Sequence, residues 1–124
     1  MSSEKILIVD DEESVLKLLE RRLSSEGYHV IKAETGREAV NKTKTFMPHL
    51  IIMDIILPDI NGAEAVQLIK SDAQTREIPV LFLSGIIQQD PEEKPTVKVG
   101  EESYEAVSKP IDFDELLSEI RKRL

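Results

Sequence analysis

The feature that most constrains this chain is a set of short apolar runs, each stopping on a polar residue able to do chemistry. Ile6-Leu7-Ile8-Val9 stops at Asp10-Asp11, Leu50-Ile51-Ile52-Met53 stops at Asp54, and Val80-Leu81-Phe82-Leu83 stops at Ser84. Near-continuous runs of this length read as strands covered on both faces, as in a parallel sheet between helices. Helical patterns lie between them. Glu13 to Glu26 repeats Val15, Leu16, Leu19 and Leu23 and closes at Gly27, a C-terminal capping residue. A second helix starts at Thr35 or Gly36, turns Ala39, Val40, Thr43 and Phe46 inward, and is stopped by Pro48. A third follows the turn cluster Leu57-Pro58-Asp59-Ile60-Asn61-Gly62 through Ala63, Ala65, Val66 and Ile69. The last runs from Phe113 to about Arg123 with Leu116, Leu117 and Ile120 on one face. Tyr28 to Ala33 is a more polar strand, expected at a sheet edge, and Pro79 to Leu83 is the fourth strand. The alternation predicts an α/β domain with a parallel sheet.

Composition narrows the function. The 124 residues suit one domain with one core and no covalent staples. The absence of cysteine removes disulfides, thiolate zinc sites and thiol nucleophiles. No apolar run exceeds four residues, against the roughly 20 a membrane helix needs. Met1-Ser2-Ser3-Glu4-Lys5 lacks the basic and then apolar profile of a secretory signal, so the expected setting is cytoplasmic, without a membrane partner. Sixteen basic against 24 acidic residues leave a formal net charge of -8, which disfavours direct nucleic-acid binding. Arg121-Lys122-Arg123 is the one basic cluster, read as a solvated helix end that meets the helix dipole.

Residues 86-107 break the rhythm with Pro91, Pro95, Glu92-Glu93 and then Thr96-Val97-Lys98-Val99-Gly100. Two prolines four apart would each cost a helix interior about 3 kcal/mol. Two alternatives stand: an extended pair, Thr96 to Val99 and Ser103 to Val107 joined around Gly100, or a plain loop.

Asp10-Asp11, Asp54, Ser84 and Lys109 all sit at the carboxyl ends of apolar runs, and in a right-handed parallel sheet those ends share one edge. With strand order 2-1-3-4-5, strands one and three flank the reversal where ligands of such sheets bind. Asp10, Asp11 and Asp54 then converge, and converging carboxylates repel unless a cation compensates. An oxygen-only set with few protein donors suits magnesium with retained waters. Lys109 adds a point charge and Ser84 a hydroxyl, completing a site for a phosphoryl group, with an aspartate as a possible nucleophile forming an acyl phosphate. Plainer roles stand beside these. Asp10 or Asp11 fits a helix cap, Ser84 before Gly85 fits a turn, and Tyr104 fits simple packing, as do surface roles for His29 and His49. Asp54 resists such a reading, because a carboxylate ending the most buried strand is costly unless paired.

Ile6-Leu7-Ile8-Val9-Asp10-Asp11-Glu12, Ile51 through Gly62, Leu83-Ser84 and Ser108-Lys109-Pro110 together resemble the receiver domain of two-component response regulators over essentially the whole chain, 1-124. The resemblance implies a three-layer, doubly wound, flavodoxin-like fold with a five-stranded parallel sheet. It implies Asp54 as phosphoacceptor, charged by a sensor histidine kinase or histidine phosphotransfer protein. It implies Mg2+ held by Asp11, Asp54 and the main-chain carbonyl of Ile56, with Asp10 acting partly through water. Ser84 and Lys109 would bind the phosphoryl group, and Lys109-Pro110 would be cis. The chain would be a switch rather than an enzyme, with the downstream protein or output domain unnamed by the sequence.

Two departures stand out. The aromatic residue such domains carry three positions before the lysine is here Ala106, with Tyr104 two positions earlier on the same side of the strand. The atypical segment 86-107 implies that the usual fourth helix is shortened, remodelled or absent. Ile56 and Ile86, two residues after Asp54 and Ser84, would flank an approaching water and offer it no general base, which implies slow dephosphorylation. Rival readings are a pseudo-receiver that recognises a partner without phosphorylation and an aspartyl-nucleophile phosphatase, which needs a second carboxylate where Ile55 and Ile56 stand. A flavin-binding domain lacks its phosphate loop after the first strand.

Overall fold

The computed structural model describes residues 4-85 and 96-124. The chain order is β1 (Lys5–Val9), α1 (Glu13–Ser25), β2 (His29–Ala33), α2 (Gly36–Phe46), β3 (Leu50–Asp54), α3 (Gly62–Ser71), β4 (Val80–Ser84), β5 (Thr96–Val99), β6 (Glu102–Ser108) and α4 (Phe113–Arg123). The sheet runs β2-β1-β3-β4-β6-β5. Every pairing in it is parallel except β5 with β6.

Alternate residues of each central strand face opposite layers. Leu7, Val9, Ile51, Met53 and Phe82 pack with Ala39, Val40, Ala65, Val66 and Ile69 of α2 and α3. Ile6, Ile8, Ile52, Leu81, Leu83 and Val107 pack with Leu16, Leu19, Leu23, Leu116, Leu117 and Ile120 of α1 and α4. Burial on both faces explains why these strands carry almost no polar residue until their carboxyl ends. The helices stop and start where their signals stand: Gly27 takes φ 94° after α1, and Met47 takes φ 48° before Pro48. Asn61 forms a reciprocal cap with Glu64 at α3, and the Asp112 carboxylate accepts the amides of Asp114 and Glu115 at α4.

Two expectations are corrected. Among the described residues the sheet has six strands rather than five, because the extended-pair alternative is realised: β5 and β6 form an antiparallel hairpin about Gly100, which takes φ 63°. The parallel part keeps the expected order, with β6 as its last strand. Of the atypical segment, residues 96-107 are therefore hairpin, while 86-95, including Ile86 and both prolines, lie outside the described residues. Phe46 is 43% exposed rather than inward, since it is the last helical residue of α2. The basic tail keeps Arg121 and Lys122 exposed in the last turn of α4, as expected, and adds ion pairs: Arg121 meets Glu26, Lys122 meets Glu119, and Arg123 bridges Glu119 at 2.9 Å and Glu105 at 3.4 Å.

The hairpin is fastened to the core by Tyr104. Its ring meets Phe82 edge-on at 6.0 Å between centroids, and the Lys70 ammonium lies 5.8 Å from its face. Val97 and Val99 pack on the same apolar layer. Tyr104→Ala is expected to lower stability by about 2 kcal/mol in urea unfolding. Tyr104→Phe is expected to stay within about 0.5 kcal/mol of the parent, because among the described residues the hydroxyl reaches only the exposed Glu102.

Candidate functional site

The carboxyl edge of the parallel strands gathers the sequence-selected residues. Asp54 is the last residue of β3 and Ser84 the last of β4, while Asp10 and Lys109 directly follow β1 and β6. Register holds these ends level: Asp54 lies opposite Leu83, and Ser84 lies opposite Ser108. Two backbone bonds seal the edge, the Asp10 N–H donating to the Ala33 carbonyl at 3.1 Å and the Lys109 N–H to the Ser84 carbonyl at 2.9 Å.

Asp10 is fully buried, Asp54 and Ser84 are nearly so, and Asp11 is exposed. The three aspartates bring carboxylate oxygens within 4.8 Å of one another. Lys109 answers part of that charge, its Nζ lying 2.9 Å from Asp10 Oδ2 and 3.3 Å from Asp54 Oδ2. The balance still lifts the Asp54 carboxyl above its ordinary pKa. Burial and the Asp10 charge push its pKa up, against the opposing Lys109 charge and hydrogen bond and the Ile55 N–H. Burial works against the Lys109 ammonium, but its contacts with Asp10 and Asp54 prevail and raise its pKa. Among the described residues, one cation against three carboxylates leaves the cluster short of positive charge. With no histidine or cysteine in the cluster, the donor set is hard oxygen and fits a magnesium-like ion.

The plain capping role does not describe Asp10. α1 is capped at Glu12 without a side-chain bond, and Asp10 Oδ1 instead accepts the Glu12 N–H at 3.0 Å. Lys109-Pro110 is cis, as the resemblance implied. Ile56 stands beside the cluster in sequence with its side chain 60% exposed. Ala106 is buried directly opposite Phe82 in the β4–β6 register, and Tyr104 is held against Phe82 and Lys70. The aromatic bulk next to β6 thus comes from β4, which sequence reading missed. Its signal was Phe82, the one aromatic residue inside an apolar run. Also missed was the close approach at Gly62, where a Cβ would lie 2.1 Å from the Asp54 carbonyl oxygen.

Comparison with known proteins agrees with this geometry. The family description "Response regulator receiver domain" matches residues 6–121. The polar-differentiation response regulator DivK of Brucella ovis is 32% identical over 122 residues, covering 98% of this chain and 97% of DivK. The probable transcriptional regulator ycf27 of Guillardia theta is 38% identical over 121 residues, 97% of this chain but 45% of that protein, so the chain spans under half of that relative. Among solved structures, the Vibrio cholerae chemotaxis protein CheY4 superposes with a TM-score of 0.85 at 26% identity, covering 99% of this chain and 100% of that one. The response regulator TrrA of Thermotoga maritima, solved in complex with Mg(2+)-BeF, gives 0.82 at 30% identity, covering 98% and 99%.

Two tests follow from the geometry. Gly62→Ala is expected to cost about 3 kcal/mol, seen as a lower urea midpoint with an unchanged slope. Asp54→Asn is expected to stabilise the fold at neutral pH. A carboxyl whose folded pKa is raised binds more protons folded than unfolded, so its contribution falls as pH climbs from the unfolded toward the folded value. The gain from Asp54→Asn should therefore grow over that acidic window, level off above it and vanish below it, as thermal melts across pH would record.

Proposed function

The chain belongs to the response regulator receiver family, and from that footing we propose that it is a phosphorylation-dependent switch in which Asp54 accepts a phosphoryl group with Mg2+. The observation that carries this reading is the convergence of Asp10, Asp11 and Asp54 on one edge with Lys109 bridging Asp10 and Asp54. The donor would be a phosphohistidine on a sensor kinase or phosphotransfer protein. An Asp54 carboxylate oxygen bonds to phosphorus while the phosphorus–nitrogen bond breaks, and the departing imidazole keeps the bonding pair and takes up a proton.

Asp10, Asp11, Asp54 and the Ile56 carbonyl would hold the ion. When bound, Mg2+ supplies the positive charge the carboxylates lack and shields the incoming phosphoryl oxygens. Lys109 is already within reach of Asp54, so its ammonium can pass to a phosphoryl oxygen without leaving the cluster. Ser84, one residue beyond Leu83, the partner of Asp54 on the neighbouring strand, is the hydroxyl to meet another. Ile56 offers no general base to a hydrolytic water, which supports a long-lived acyl phosphate; the paired expectation for Ile86 falls on residues outside those described. Because position 106 is alanine and the aromatic beside it is the fully buried Phe82, output in this reading runs through the hairpin bearing Tyr104 rather than through an aromatic residue at 106.

Intact mass after incubation with acetyl phosphate and magnesium, and with a phosphohistidine donor, tests the proposal. One labile phosphoryl group that requires both magnesium and Asp54, and is absent from Asp54→Asn, is expected. No gain with either donor would instead support a pseudo-receiver that recognises its partner unphosphorylated.

A further inference from the structure

The loop between β3 and α3 accepts hydrogen bonds from α2 through the Asp59 carboxylate. Asp59 Oδ1 accepts the Gly36 N–H at 2.8 Å and Asp59 Oδ2 accepts the Arg37 N–H at 2.9 Å. These are the first two amides of α2, which have no partner within the helix and sit at its positive end. The third, Glu38 N–H, goes to the local cap Thr35 at 3.0 Å, and Glu38 in turn accepts the Glu34 N–H at 2.7 Å. The N-terminus of α2 is therefore shared between a neighbour in sequence and a residue more than twenty positions away.

Close approach of the two elements is built into the backbone. A Cβ at Gly36 would fall 2.5 Å from Ile60 Cγ1 and 2.9 Å from the Ile60 carbonyl oxygen. The same loop is closed at its base by the Gly62 N–H donating to the Ile55 carbonyl at 2.7 Å. Ile56 lies between that closure and the Asp59 contact. The Asp59 carboxyl is held below its usual range: burial alone would raise it, but the amides of Arg37, Ile60 and Gly36 outweigh that effect.

We propose that Asp59 is a positioning residue for the Asp54 site, its carboxylate fastening the loop that bears Ile56 to the first turn of α2. The inference rests on the proposed function for its link to magnesium, but the fastening itself does not. Because coupling between two sites is reciprocal, an ion that orders the Ile56 carbonyl must also order the first turn of α2. That turn then reports site occupancy at the β2–α2 side of the domain, away from the hairpin.

The test compares Asp59→Ala with Thr35→Ala in the full chain, since both remove acceptors from the same helix end but only Asp59 reaches the loop. In the metal-free protein, amide hydrogen exchange at Ile55, Ile56 and Leu57 is expected to quicken roughly tenfold in Asp59→Ala and to stay unchanged in Thr35→Ala, while both loosen the first turn of α2. Calorimetric titration with magnesium chloride is expected to show affinity weakened roughly fivefold in Asp59→Ala alone, with Asp59→Asn in between. Unchanged loop exchange in Asp59→Ala, or the same loop pattern in both variants, would overturn the inference. Failure of the parent protein to bind magnesium would instead count against the proposed function, leaving the exchange comparison to decide the role of Asp59.

Discussion

Everything in this domain is arranged around a repulsion. Asp10, fully buried, and Asp54, nearly so, point carboxylates at one another across the ends of neighbouring strands, and one ammonium stands between them. Such a cluster costs stability in any fold, because burial penalises charge and like charges compound the penalty. It persists because the surroundings are over-determined: two apolar layers clamp β1 and β3 from both faces, and backbone bonds tie the ends of β1 and β6 to their neighbours. The sheet supplies the rigidity, and the strand ends hold the concentrated negative charge that Lys109 answers in part.

Much of this was legible in the residues. Strands β1, β3 and β4 announce themselves because parallel strands buried on both faces permit little but apolar side chains, so the first polar residue marks the edge. Asp10, Asp54, Ser84 and Lys109 could be placed together from that rule and the handedness of crossovers alone. The hairpin was harder. Thr96 to Val99 alternates exposed and half-buried residues over only four positions, too short a pattern to separate a strand from an extended loop. Phe46 was misplaced because helical periodicity continues to a helix end even where the core does not.

What stayed hidden were contacts between residues distant in the chain. Nothing local says that Asp59, in a turn cluster, caps a helix that begins at Gly36, or that Phe82 supplies bulk beside Ala106. Arg123 reads as a solvent-facing end until Glu105 is found beside it. Each depends on which elements become neighbours, and the amino-acid pattern of either partner alone is compatible with several neighbours. The hairpin also redistributes roles: aromatic bulk moves onto β4, and Tyr104 is held by Lys70 of α3, so the β6 side of the site is tied to α3 through a cation and a ring.

The hairpin has a consequence for how the chain reaches this structure. Among the described residues, β5 and β6 are the one strand pair joined by a two-residue connection, whereas every parallel pairing brings together segments separated by at least one intervening element. Local pairings close in about microseconds, while distant ones must first overcome loop-closure entropy. The contact between Lys109 and Asp10 spans 99 positions of sequence, a long reach for a search through the unfolded ensemble. Contact order alone therefore places the charged centre among the later contacts expected to form.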